Sequence, residues 1–426
     1  MTYLSANFVS ESSPLFIIYK EKKLDLKKFR RLNTAFEIAK RISFQKQKSY
    51  TGFIVKLSTI ATAISVAAII ITFSIVNGFQ SSIANKVYSF WGNINISTVN
   101  GSVIDNHPHI QQLLKHNKEV KNITPYAIQT AVISYQQEME GITVKGIPTT
   151  VPQPFLISGR NLQAKDKTTS MEIVVSKELS NKLKLGLGAW IRLYFMNQGA
   201  VQQRKLKVVG IYHSGMEDYD QQFAMVDLQL LQQLVNSNAI VSGYSVDVKE
   251  GYNANTTSIQ LQQQLPPNYI ATTIEEQYPQ IFDWIQVQSI NRNVTMTIMM
   301  LIAIVNLLTC LFILMLERVK MIGTLTAIGG NYNLIRKIFL YQASFISWTG
   351  ILIGCVVGVG LSLLQQYTGW IQLDETAYFM KVLPIRIIPV QILWIILSTA
   401  VISYLSFLAP TIWIKKISPA QTIRFD

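Results

Sequence analysis

Only two cysteines, Cys310 and Cys355, occur in 426 residues. Both fall in long apolar runs, so the chain has no disulfide framework, and its redox surroundings are not readable from cysteine. Charge is scarce as well: 15% of residues are charged against 49% hydrophobic, with a mean hydropathy of +0.25. That balance excludes an ordinary soluble globule and places the chain among membrane proteins with a substantial water-exposed part. Gly-Lys never occurs as a dipeptide. A Gly-x-x-x-x-Gly-Lys-Ser/Thr phosphate loop is thereby excluded, and nucleotide is not held by that device. No Ser/His/Asp or Cys/His arrangement falls in a recognisable motif. No cleavable signal peptide is expected, since Met1–Pro14 is polar and Leu15–Tyr19 is too short for an apolar signal core. The first membrane helix is the expected insertion signal.

What the chain does have is four uncharged apolar runs, at residues 57–79, 294–316, 338–364 and 388–413. At ~1.5 Å rise per residue, a helix of the length of Val294–Leu316 spans a hydrocarbon core of about 30 Å. The runs separate five water-facing parts: 1–56, 80–293, 317–337, 365–387 and 414–426. With the N-terminus placed in the cytoplasm, 1–56, 317–337 and 414–426 hold 19 basic against 6 acidic residues, or +13, while the other two parts hold 19 against 18, or +1. Nearly all of the net +14 therefore lies on one side, as the positive-inside rule requires. Membrane lipids account for it, and no nucleic acid is implied.

The fold class expected is an α+β membrane protein, with four transmembrane helices and a large α+β domain inserted between helices 1 and 2. Thr34–Phe44, with Asn33 as its cap, reads as an amphipathic helix at the membrane surface. In 80–293, β-type runs such as Ala131–Tyr135, Ile142–Ile147 and Glu172–Val175 alternate with helical pieces at Lys177–Leu185 and Leu228–Leu234. This is one sizeable domain, in two lobes, long enough to bury its own core. Ala189–Phe195 and Leu206–Tyr212 read as a hairpin joined through the polar stretch Met196–Lys205. Ile274–Val294 reads as a helical stalk into the second crossing.

Between crossings two and three, Glu317-Arg318-Val319-Lys320 and the following Met321–Ile328 are too short to span a bilayer and are bracketed by charge. They are expected to lie along the membrane surface, free to touch a soluble partner. Gly350, Gly354 and Gly358, four residues apart, mark a close helix–helix contact within the chain or between two copies. Asn306 and Thr309, polar on an apolar helix, are expected to face a bundle interior, as an interhelical contact or a cavity lining. Asn77 and Gly78 mark the helix exit or the rim of an entry path. His107-Pro108-His109 reads as a surface turn before a metal site, and metal is expected to be absent. Glu217-Asp218-Tyr219-Asp220 reads as a solvated loop before a catalytic carboxylate pair.

In this order and spacing, the motifs resemble the permease subunits of the MacB/FtsX/LolC-LolE class of ABC transporters, and within it the lipoprotein-releasing LolC/LolE branch. The resemblance runs from about Asn33 to Asp426. It is carried by Leu57-Ser58-Thr59-Ile60 through Ser74-Ile75-Val76-Asn77-Gly78-Phe79, where Val76 stands for the usual Met. Asn306, Leu316-Glu317-Arg318, Leu325-Thr326-Ala327-Ile328-Gly329-Gly330 and Phe339-Leu340-Tyr341-Gln342 continue it. Ala409-Pro410-Thr411-Ile412-Trp413 and Ser418–Phe425 close it, where Pro-Ala-Glu-Ala-Leu-Arg is usual.

The resemblance implies a non-catalytic, multi-pass subunit of a cell inner membrane with cytoplasmic termini and a periplasmic α+β domain. A separate cytoplasmic ABC ATPase, which binds the ATP and Mg, would grip a coupling helix at Glu317, Arg318, Lys320, Gly323, Leu325, Ile328 and Gly329. A second permease copy or paralogue would complete an apolar cavity for a lipoprotein's acyl chains. Ile75, Val76, Asn77, Phe79, Asn306 and Thr309 are the residues implied to line it, in a space between crossings one and two. A periplasmic carrier is a further partner of that family. The LolC type takes it up on a longer, proline-bearing hairpin, whereas Met196–Lys205 is shorter and has no proline. An FtsX-type signalling transmitter, moving no substrate, is the alternative the resemblance leaves.

Overall fold

The computed structural model describes residues 34–44, 50–100, 104–105, 108–163, 169–197, 200–234, 240–378 and 380–413. Asn33, His107 and the 414–426 tail lie outside them. The chain divides into two compact units, one of 1–73, 293–362 and 388–426, the other of 74–292 and 363–387. Four helices are long and apolar enough to cross a membrane, at Gly52–Trp91, Pro279–Glu317, Tyr332–Thr368 and Pro389–Leu408.

The first unit is helical. It contains α1 (Thr34–Phe44) and the first part of α2 (Tyr50–Trp91). The strands and helices of the second unit intervene before its remaining elements, which are numbered below in chain order. Apolar side chains fill the spaces between the long helices: Val66, Ile69 and Ile70 pack with Ile351 and Ile395, against Met296 and Met299. Further along, Ile54 packs with Cys310, Leu314 and Ile346. Side chains of crossings one and two therefore bury one another at these two places.

The second unit opens with the last part of α2, which runs straight through Asn77-Gly78 to Trp91 instead of ending there. It continues with β1 (Ile94–Thr98), β2 (Ile104–Asp105), α3 (Pro108–His116), β3 (Val120–Tyr135), β4 (Glu138–Ile147), β5 (Leu156–Gly159) and β6 (Glu172–Ser176). Then come α4 (Lys177–Lys182), β7 (Trp190–Asn197), β8 (Ala200–Tyr212), α5 (Glu217–Gln222), β9 (Phe223–Asp227), α6 (Leu228–Leu234) and β10 (Ile240–Val241). β11 (Gly243–Val248), α7 (Ala254–Gln264), β12 (Tyr269–Thr273) and α8 (Ile274–Gln277) complete the domain. α9 (Pro279–Glu317), α10 (Val319–Ala327), α11 (Tyr332–Thr368), α12 (Glu375–Tyr378) and α13 (Pro389–Trp413) follow.

The long strand β3 divides its length between two lobes. Its first half pairs with β11, which continues through β1 to β12. Its second half pairs with β4 on one side and β7 on the other, and the pairing path β4-β9-β6-β8-β7 returns to β3, closing a ring of six strands. Ile133, Val144, Ile173, Leu193, Val208 and Val226, one from each ring strand, are fully buried together. A second core, with Ile94, Ile96, Val246, Leu114 and Leu261, holds β1, β11, α3 and α7. Burying such side chains supplies about 1.5–3 kcal/mol each before conformational entropy is charged against it.

The hairpin is tighter than the sequence suggests. Strand pairing continues to Met196↔Val201 and Asn197↔Ala200, so most of Met196–Lys205 is ladder and not connection. Glu217–Gln222 is a helix, not a solvated loop, and Asp220 on it is 1% exposed.

Candidate coupling helix and helix–domain junction

Within the first unit, α10 lies between two membrane-length helices. Arg318 occupies its N-cap position, and its far end closes as a Schellman turn: Gly330 N–H donates to Leu325 O at 2.8 Å and Gly329 N–H to Thr326 O at 3.0 Å. Gly329 takes φ +90° there, a conformation that a side chain resists. Ile322 and Gly323 are buried, and Ile322 joins Leu307, Leu311, Met315, Ile335, Phe339 and Phe407 in one cluster. Leu325 packs both there and against α1, whose Ala35 and Ala39 rest on Ile338. Glu317, Lys320, Thr324, Gly329 and Ile328 are exposed, Ile328 at 79%. Of the seven implied contact residues, Gly323 and Leu325 thus hold the helix down, Arg318 is half-buried at its cap, and the other four offer a surface.

The glycine stripe of α11 lies against α2. A Cβ on Gly350 would meet Thr62 Cβ at 2.8 Å, one on Gly354 would meet Ala63 O at 2.5 Å, and one on Gly358 would meet Ala67 Cα at 3.1 Å. Close approach of two backbones is what the absent side chains permit. Thr309 is exposed, and its hydroxyl donates to its own helix at Val305 O, 2.8 Å away. Back-bonding thus satisfies the hydroxyl within its own helix turn, in place of the expected interhelical hydrogen bond. Asn306 is half-buried, and its Nδ2 has no hydrogen-bond partner. Leu57, Ile60 and Ile64 on α2, and Val294, Ile298, Leu301 and Val305 on α9, form exposed apolar stripes at helical spacing. The narrow gap lined by Leu307, Leu311, Leu314, Ala343, Ile346 and Phe407 is too tight to admit a water molecule.

The second unit receives the end of α2 in a socket. Trp91 stacks on Tyr278 with ring centres 6.0 Å apart and meets Phe223 edge-on at 5.6 Å. Lys145 of β4, 4% exposed, donates to Phe90 O at the helix C-terminus, with its Nζ 4.1 Å from the Trp91 ring centre and 4.5 Å from that of Phe90. The helix dipole and the ring faces both favour a cation there, but burial pushes the amine down to about 7. Alongside, Asn77, which is 7% exposed, accepts from Arg292 Nη1 at 3.2 Å, and Gln80 Nε2 donates to Ile285 O at 3.0 Å. Asn77 therefore serves a contact between α2 and α9, while Ile75, Val76 and Phe79 are half-buried.

Gly78 has a different reason to be glycine. A Cβ there would lie 2.1 Å from Pro384 O, in the segment between α11 and α13. Ile75 to Phe79 fall in the second unit, whereas Asn306 and Thr309 fall in the first. Elsewhere on the domain, Arg160 grips Glu172 in a two-pronged ion pair, with contacts of 2.9 and 2.5 Å. Burial alone would raise the Glu172 carboxyl, but Arg160 and the Gln163 amide outweigh it and hold it below the ordinary range.

His213 lies between two carboxylates, with Asp220 Oδ2 3.0 Å from Nδ1 and Glu375 Oε1 2.7 Å from Nε2; neither this group nor Lys145 is marked by a motif in the sequence. Lys145 shows no signal beyond being a lysine inside a β-type run. Asp220 was visible only as one of a run of acids. Among the described residues no group of three or more His, Cys, Asp or Glu is placed to hold a metal ion.

Residues 57–264 match the family described as MacB-like periplasmic core domain, and residues 293–419 match that described as FtsX-like permease C-terminal. A lipoprotein-releasing system transmembrane protein LolE from Haemophilus influenzae is 21% identical over 92% of this chain and 99% of its own length. A LolC protein of the same system from Neisseria meningitidis serogroup B is 21% identical, over 90% of this chain and 96% of its own. The crystal structure of the periplasmic region of MacB from Actinobacillus actinomycetemcomitans matches 44% of this chain and 92% of its own, at 12% identity and a TM-score of 0.35.

Proposed function

The chain belongs to the MacB/FtsX-like permease family, and from that premise we propose that it is the non-catalytic membrane subunit of a lipoprotein-releasing ABC transporter. α10 is the observation that carries this reading. It is a helix of 9 residues, capped at its C-terminus, anchored by Ile322 and Leu325, and presenting Glu317, Lys320, Thr324 and Ile328 outward. A separate ATPase, holding the ATP and Mg, grips that surface from the cytoplasm. The α/β domain stands in the periplasm and the membrane is the inner one.

The substrate is a lipid-anchored protein. Each CH₂ of an acyl anchor is held in the bilayer by ~0.8 kcal/mol, so extraction needs coupled energy. One chain alone has its α2–α9 contact filled, and the exposed stripes Leu57-Ile60-Ile64 and Val294-Ile298-Leu301-Val305 remain as greasy walls. A second permease, identical or paralogous, completes the chamber between such walls. A periplasmic carrier receives the substrate, either from this chain or from its partner.

Depletion of the chain in cells tests the reading. Lipoproteins that accumulate in the inner membrane support it. Normal lipoprotein sorting with blocked cell-wall hydrolysis overturns it in favour of an FtsX-type transmitter.

A further inference from the structure

The third apolar run ends near Leu364, yet the uncharged stretch that opens at Ile338 continues to Leu373, and the first charge beyond it is Asp374. α11 itself runs on to Thr368. One face of that helix stays open along its length: Leu352, Ile353, Val356, Val357, Leu361 and Leu364 are exposed at helical spacing. Where these aliphatic side chains end, Tyr367 follows at 85% exposure, then Trp370 at 77% and Ile371. A lipid-facing stripe that turns from aliphatic to aromatic marks the level at which hydrocarbon gives way to headgroups.

The length of the helix agrees with that level. At ~1.5 Å rise per residue, α11 climbs about 45 Å from Lys337 to Tyr367, against about 40–45 Å for a bilayer with both of its headgroup layers. Lys337 carries the last charge before the crossing. With that amine at one surface, Tyr367 and Trp370 arrive at the other.

The backbone is shaped to leave these side chains outside. Gly369 takes φ +58° as the helix ends, and Gln365, buried behind the turn, holds it from within. Ile371 N–H donates to Gln365 Oε1 at 2.8 Å, and Gln365 Nε2 donates to Ile371 O at 3.1 Å. Leu383 N–H donates to the same Ile371 O at 3.1 Å, and Leu373 N–H to Lys381 O at 2.9 Å, so the turn is tied to the returning chain. That returning chain grips the rest of the second unit. Pro384 O sits against Gly78, Arg386 N–H donates to Ser74 O at 3.0 Å, and Glu375 Oε1 lies 2.7 Å from His213 Nε2.

We propose that residues 363–373 are an interfacial anchor, with Tyr367, Trp370 and Ile371 seated among the lipid headgroups of the leaflet at this end of α11. Both aromatic rings pair an apolar body with one polar N–H or O–H, which suits a layer that is greasy on one side and wet on the other. Bilayer lipid is the partner that covers them, because the stripe is continuous with the exposed face of a membrane-length helix and no charge interrupts it before Asp374. The anchor has a mechanical consequence. The segment that it holds at the bilayer surface also holds α2 at Ser74 and Gly78, so the membrane surface fixes the height at which α2 enters the domain.

Fluorine NMR of the full-length protein tests the anchor, with fluorotryptophan incorporated and the chain in nanodiscs of phosphatidylethanolamine and phosphatidylglycerol. The signal missing from Trp370→Phe is that of Trp370. A nitroxide carried on lipid just below the headgroup is expected to abolish this signal, and one at the end of the acyl chain to broaden it less. A signal that neither lipid probe broadens overturns the anchor, since water or a second copy of the chain then covers the ring. Stronger broadening by the chain-end probe overturns it too, because the ring then lies in hydrocarbon. Tyr367→Trp adds an independent signal at the same level, for which the two probes are expected to rank in the same order, and the opposite order there counts equally against the anchor.

Discussion

Replacing Gly354 with alanine places one methyl group where the α2–α11 contact has no room. The new carbon would lie 2.5 Å from Ala63 O and 2.8 Å from Val66 Cβ, where ordinary contact begins at 3.4 Å. To relieve it, the helices must part by roughly 1 Å, which forfeits a quarter to a half of the dispersion attraction at each contact that opens. Val66, Ile70 and Ile351, all fully buried at this interface, bear the loss. Overpacking of this kind costs about 1–3 kcal/mol, while alanine in a helix recovers about 1 kcal/mol relative to glycine. Gly360→Ala on the same helix is the control, since nothing lies within 4 Å of its added carbon. It keeps the helical gain without the clash. Unfolding of full-length protein in mixed micelles, followed by tryptophan fluorescence, should place Gly354→Ala about 1–3 kcal/mol below Gly360→Ala. Equal stabilities, or the reverse order, would refute the close-contact argument.

Glu317→Lys, or Thr326→Pro inside α10, is expected to leave the chain inserted but to uncouple ATP hydrolysis by the partner from substrate release. A reconstituted complex in which both rates stay unchanged would remove α10 from the coupling role. Lys145 has its amine pushed down to about 7, so between that value and the ordinary lysine range the unfolded chain holds a proton that the folded one has released. Stability of the α/β domain should therefore rise from about pH 7 to about pH 9, and Lys145→Met should flatten that rise in chemical denaturation. Glu172 is held low by Arg160, so its contribution is present above the ordinary carboxylate range and is lost as pH falls through the depressed value. Glu172→Gln should blunt the acid limb of the same stability profile.

Much of the fold was legible because it is written in run length and period. The four apolar runs, the short helix after Leu316 and the strands around Ile133, Val144 and Val174 all follow from one-dimensional patterns. The misreadings share another cause, which is that contacts made only in the folded chain supply the reason. Gly78 looked like a helix stop, yet α2 runs through it, and the missing side chain makes room for the carbonyl of Pro384, some 300 residues away. Met196–Lys205 looked like a polar connection, but most of it belongs to two paired strands, with Gln203 and Lys205 at exposed positions. Asp220 looked solvated, and only the fold brings Ser214, Gly215 and His213 around it. Thr309 illustrates the converse: a rule about polar residues in membranes was met inside its own helix turn.

The most direct measurement of the account is release itself. The chain would be reconstituted in vesicles with its ATPase, its partner permease and a fluorescently labelled triacylated protein, and the label leaving the membrane would be followed on addition of ATP in the presence of an acceptor. The account predicts ATP-dependent release that disappears with Glu317→Lys while the labelled protein still binds the complex. Hydrolysis of ATP with the label left in the membrane, in a complex that is otherwise intact, would contradict it.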